Sequence, residues 1–196
     1  MQSAIRTYFS CFVNIYILVI NMKGIKSYMI AGIIFVSVLG TLLHFVYSLS
    51  GNNFFVGLFT PINESIWEHT KLIYFPMLIY SLYLNKKLKD CCPCIFSAMI
   101  FGAISGVISI ITFFYTYSGI IGFNIAFADI TIFYISVILS FYIAYNLTLS
   151  HKSDKFKIAS YIFNIIMICL FIIFTILPPN IPLFMFLRYI HFVNLI

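Results

Sequence analysis

Residues 27–49 read SYMIAGIIFVSVLGTLLHFVYSL, a run without one Asp, Glu, Lys or Arg. Wound as an α-helix at 1.5 Å per residue, it is about 35 Å long. The hydrocarbon core of a bilayer is ~30 Å thick and takes about 20 apolar residues to cross, so this segment reads as a transmembrane helix. Four more long, mainly apolar runs follow, at about Pro61–Leu84, Pro93–Tyr117, Phe123–Leu149 and Phe156–Leu177.

Composition agrees with that reading. Of 196 residues, 63% are hydrophobic and 8% charged, and the mean hydropathy is +1.08. Soluble domains are about 45–50% apolar and about 25% charged, so too few charges are present to cover a soluble surface. Five spans leave no length for a sizeable water-exposed domain, and long apolar runs are not the ~10-residue alternation of a membrane β-barrel. The sequence therefore predicts an all-α integral membrane bundle of five strong transmembrane helices. A shorter apolar segment, Thr7–Met22, would rise only about 24 Å. Residues 1–22 read either as an extension ahead of a natural start at Met22-Lys23 or as a signal-anchor sixth helix. A transmembrane domain over 23–184 and a tail over 185–196 complete the division.

The charge of +6 and pI of 9.1 come from basic residues that punctuate the spans. Lys23 and Lys26 precede the first strong span, Lys86, Lys87 and Lys89 follow the second, and Lys152, Lys155 and Lys157 follow the fourth. The connections 50–60 and 118–122 carry no charge. Basic loops stay in the cytoplasm, so loops 85–92 and 150–156 are expected inside, and the uncharged connections outside. The bias to Phe, Tyr, Ile, Lys and Asn resembles an AT-rich bacterial genome, pointing to a bacterial plasma membrane. Nothing here forms a nucleic-acid surface, a nucleotide loop or a nucleophile elbow. The expected partners are membrane lipids, and the oligomeric state is not legible. Cys91-Cys92-Pro93-Cys94, at the entrance of the third span, reads as reduced, unpaired thiols.

Of five acids, Asp90 and Asp154 fall in loops, whereas Glu64, Glu68 and Asp129 fall within spans. A charge at the centre of a membrane helix costs ~2.5–3.5 kcal/mol even on the lenient insertion scale, so these three call for partners. Depth supplies candidates. His44 lies about 8 Å below the outer end of its span and Asp129 about 9 Å into the fourth. Glu64, Glu68, His69 and Lys71 occupy the outer turns of the second. His44, Glu68, His69 and Asp129 are thus expected around one cavity.

The segment TPINESIWEHTK, Thr60–Lys71, carries most of this chemistry. Thr60 is expected to cap a helix that opens on Pro61, where a missing N–H costs nothing. Glu64, Trp67, Glu68 and Lys71 then share one face within about 60°. Three acids against one lysine leave two uncompensated negative charges, which must take protons, bind a cation or open to water. Three readings stay open: a divalent metal such as Zn²⁺ held by His44, His69 and Asp129; a proton-handling or substrate site; or an ion-paired helix start with Glu68–Lys71 as an (i, i+3) pair. The functional expectation is a cation site supporting metal-assisted chemistry on a lipid or polyprenyl head group, with Glu64 or Glu68 as general base. The alternatives are a proton- or cation-coupled carrier and a non-catalytic membrane component.

At Asn63–Lys71, NESIWEHTK, the chain resembles a family of small bacterial multi-pass membrane proteins of unknown function. The resemblance runs from about Met22 to Phe184 and takes in His44, Gly57-Leu58-Phe59, Tyr117, Gly119 and Asp129-Ile130. It implies no particular activity. Asn63, Trp67, Lys71 and Tyr117, which flank the acids or fall within the resemblance, are expected to bind substrate. The family's pattern after the proline cluster is a polar, Asp- and Gly-bearing end, where this chain has Met185–His191.

Overall fold

A computed structural model describes residues 2–150 and 152–185, with side chains from Gly24 onward except that of Lys152. It is an all-α bundle, with no strand among the described residues. The helices are α1 (Gln2–Leu49), α2 (Phe54–Gly57), α3 (Ile66–Leu88), α4 (Ile95–Ile121), α5 (Ala126–Leu149) and α6 (Lys157–Ile176). Among the described residues, four segments are long and apolar enough to cross a membrane: Gly24–Leu49, Ile95–Ile121, Ala126–Leu149 and Ser153–Ile176. Large apolar side chains cover their outer faces, with Ile34 and Leu42 of α1, Ile138 of α5 and Ile158 of α6 all more than half exposed. That is the surface of a protein whose solvent is lipid. α3 is the most buried helix and falls outside the four by composition, because it carries Glu68, Lys71, Lys86 and Lys87.

Two boundaries differ from the sequence expectation. α1 runs unbroken from Gln2 to Leu49. No turn occurs at Met22–Lys26, because Gly24 alone does not stop a helix that has no proline nearby. α3 starts at Ile66 rather than Pro61. Ser65 and Glu68 form an S-x-x-E start signal: the Ser65 hydroxyl accepts from the Glu68 N–H at 3.3 Å, while Asn63 Oδ1 accepts from the Ser65 N–H at 2.9 Å. The stronger cap wins, and Pro61–Ser65 is left as an irregular approach. Thr60 caps nothing; its hydroxyl donates to Val56 O at 2.9 Å.

Close approaches fix the bundle. Gly102 and Gly106 of α4 face Ser140 of α5, and a β-carbon on either would collide there, so the small-residue stripe Ala98-Gly102-Gly106 is a helix contact. Pro76 lies inside α3 and has no N–H for the Leu72 carbonyl four residues earlier. That carbonyl meets Gly40 of α1, where an added β-carbon would come within 2.5 Å of it. α1 is thereby seated on α3 at the level of Gly40, and His44, one turn further on the same face, is carried toward the start of α3.

At the opposite, lysine-bearing end, Cys94 Sγ lies 3.6 Å from Thr148 O and the Ser153 hydroxyl donates to Cys94 O at 3.5 Å. Cys91, Cys92, Cys94 and Cys169 are not joined in disulfides. Burial, with Cys91 beside it, pushes the Cys92 thiol up to about 12, so it stays protonated and inert. His151 and His191 lie outside the described residues.

Candidate functional site

Freed from the helix, Glu64 turns away from Glu68. Its Oε2 lies 3.2 Å from His69 Nε2 and its Oε1 3.8 Å from His44 Nε2. The two imidazole rings face each other with centroids 5.3 Å apart. One ligand atom from each of His44, Glu64 and His69 lies within 4.8 Å of the others, the spacing of a metal-binding group. All three side chains are partly buried.

His69 is held in a defined state. Its Nδ1 lies 2.8 Å from Ser65 O, and a carbonyl can only accept, so Nδ1 carries a proton and donates. Nε2 is then the atom presented to Glu64. An unprotonated Nε2 and a carboxylate oxygen would repel at 3.2 Å, so a proton or a cation must lie between them. A ring whose second nitrogen donates to a backbone carbonyl is also the usual posture of a metal-ligating histidine.

These residues form the polar end of a cavity of about 510 Å³ bordered by α1, α3, α4 and α5. Asp129, in the first turn of α5, lines it as well. The remaining walls are mainly apolar, including Leu72, Ile110, Phe114 and Phe133. Tyr117 stands behind Asp129: its hydroxyl donates to Asp129 Oδ1 and accepts from the Ile125 N–H at 3.3 Å. Tyr117 thus fixes the start of α5 and the carboxylate together.

Glu68 is elsewhere. It faces Lys71 at 2.7 Å, with both side chains almost wholly buried. Glu68 Oε2 also accepts from the Ile62 N–H at 3.0 Å, and Oε1 lies 3.1 Å from Thr175 Oγ1, whose one proton is shared with Phe171 O at 2.7 Å. The Lys71 ammonium donates to Gly57 O at 2.9 Å and Thr175 Oγ1 at 2.6 Å. This network ties the 57–62 segment, α3 and α6 into one piece, and leaves Glu68 no access to the cavity. The shared face expected for Glu64 and Glu68 is corrected accordingly: Glu64 belongs to a loop, so helical periodicity does not apply to it.

Of the remaining sequence candidates, Asn63 builds the turn before α3, and Trp67 is packed among Phe171, Phe174 and Phe184. Neither they nor Lys71 nor Tyr117 line the cavity. Tyr134, which no sequence signal singled out, does line it and lies 3.2 Å from Thr41 Oγ1 through its hydroxyl. A chain with 14 tyrosines offers no way to choose this one before the α1–α5 contact is known.

No curated protein matches the chain, and no solved structure does. The model of a family of unknown function (DUF6512) matches residues 11–188, and the chain belongs to that family.

Proposed function

We propose that the cavity is a divalent-cation site within the membrane, in which His44, Glu64 and His69 hold the ion for chemistry on the polar group of a lipid-like molecule. The observation that carries the reading is the His69–Glu64 contact, with Nδ1 committed to Ser65 O. Two imidazoles and one carboxylate are a common donor set for catalytic Zn²⁺, leaving a fourth position for water or substrate. Asp129, on the same cavity and anchored by Tyr117, is the candidate general base for a bound water. With Glu68 and Lys71 neutralising each other, Glu64 and Asp129 leave two negative charges in the cavity, which one divalent ion offsets. The site lies toward the ends of the helices joined by the uncharged connections. By the lysine distribution this is the outer half of a bacterial plasma membrane.

Elemental analysis of the detergent-purified protein tests this directly. Roughly one Zn²⁺, Mn²⁺ or Fe²⁺ per chain is expected, lost in His44→Ala and Glu64→Gln and retained in Glu68→Gln/Lys71→Met. Occupancy should fall on acidification, because imidazole and carboxylate must be deprotonated to ligate. A metal-free wild type after growth in metal-replete medium would exclude the cation site. The Glu64–His69 contact would then be a shared proton, favouring a proton-coupled role.

A further inference from the structure

Resting on that cation site, we infer that its ligand is an uncharged amphiphile with an oxygen-bearing head, an alcohol or ester, taken sideways from the bilayer between α1 and α5. Burial around the cavity is one-sided. Ile66, Leu72, Ile110 and Phe114, from α3 and α4, are at most 7% exposed and form a sealed back wall. The most exposed large lining side chains come from α1 and α5, with Phe45 at 55%, Ile130 at 57% and Tyr134 at 40%. Apolar rim residues on lipid-facing helices open the cavity toward acyl chains rather than water.

The polar features of this seam select the head group. Thr41 Oγ1 already donates its proton to Ser37 O at 2.8 Å, so in the 3.2 Å contact with Tyr134 the phenol is the donor. Tyr134 can transfer that hydrogen bond from Thr41 to an oxygen on an entering molecule at little cost. Charge supplies the rest. One divalent ion balances Glu64 and Asp129, so the loaded cavity is formally neutral. An anionic head would then be buried without compensation beside Asp129, and a cationic one would compete with the ion. A neutral oxygen ligand fits both the open metal position and the phenol donor.

The experiment uses the full chain in lipid nanodiscs, with two photoreactive probes that share one diazirine-bearing alkyl chain: a long-chain alcohol and the corresponding alkyl phosphate. Metal content is measured on the same samples. The alcohol should label cavity residues such as Phe133 and Ile110 saturably, with unlabelled alcohol competing, and the phosphate should not. Tyr134→Phe should weaken the alcohol's apparent affinity roughly five- to tenfold, the size of one net hydrogen bond, with metal content unchanged. Ile130→Trp, at the exposed rim, should block labelling if the seam is the entrance. Saturable labelling by the phosphate in preference to the alcohol overturns the inference. So does labelling that never saturates and spreads over the outer face of α6, which would mark ordinary surrounding lipid. Saturable alcohol labelling of a metal-free protein would sink the cation site and leave the lateral amphiphile site standing.

Discussion

Lys71 and Glu68 occupy the environment in which a charge is hardest to keep, and each is kept by the other. Removing one partner should be far worse than removing both. Lys71→Met leaves a buried carboxylate facing Ile62 and Thr175, and a loss of about 3–5 kcal/mol is expected. Glu68→Gln/Lys71→Met should fall much closer to wild type, because paired buried charges are often replaceable by packed neutral groups. Thermal denaturation in a single detergent would show the difference, and equal losses in both would contradict the ion-pair assignment. Much of the cavity was legible from depth alone: His44, His69 and Asp129 could be placed at one level by counting helical rise. What counting could not supply was direction. Glu64 and Glu68 look equivalent on a helical wheel, and they part only because Ser65 outcompetes Thr60 as the cap.

At the scale of elements, one proline and one glycine set the distance between α1 and α3. Pro76 releases the Leu72 carbonyl, and Gly40 settles on it. A contact of this kind is worth little as a weak Cα–H···O bond, but a side chain there would wedge the helices apart. Gly40→Val should cost about 1–3 kcal/mol, as overpacking typically does, and should lower metal affinity by withdrawing His44 from Glu64. Gly119→Ala, with open space around its β-carbon, should change neither. Melting curves and metal titrations of the two variants make the comparison. A Gly40→Val protein with wild-type metal affinity would detach the seating from the site. Helix existence was readable from apolar run length. The pairing of Gly40 with Leu72 was not, since it depends on which residue lies across the interface.

At the scale of the whole molecule, the lysines make an orientation prediction that the fold allows to be tested at exposed positions. In a background with the native cysteines replaced, Ser50→Cys and Gly119→Cys should react with an impermeant thiol reagent in intact cells. Lys87→Cys and Lys155→Cys should react only after lysis. The reverse pattern would move the cavity to the cytoplasmic half. A different consequence follows from the Thr175 hydroxyl that closes the Glu68–Lys71 network. Synthesis delivers α3 to the membrane about a hundred residues before Thr175 exists, and α3 is the long helix too polar to qualify as a span by itself. The nascent protein must therefore hold an incompletely satisfied helix in a sheltered place, at the insertion machinery or against α1 and α4, until α6 arrives. Maturation of this protein has a clock, and α6 stops it.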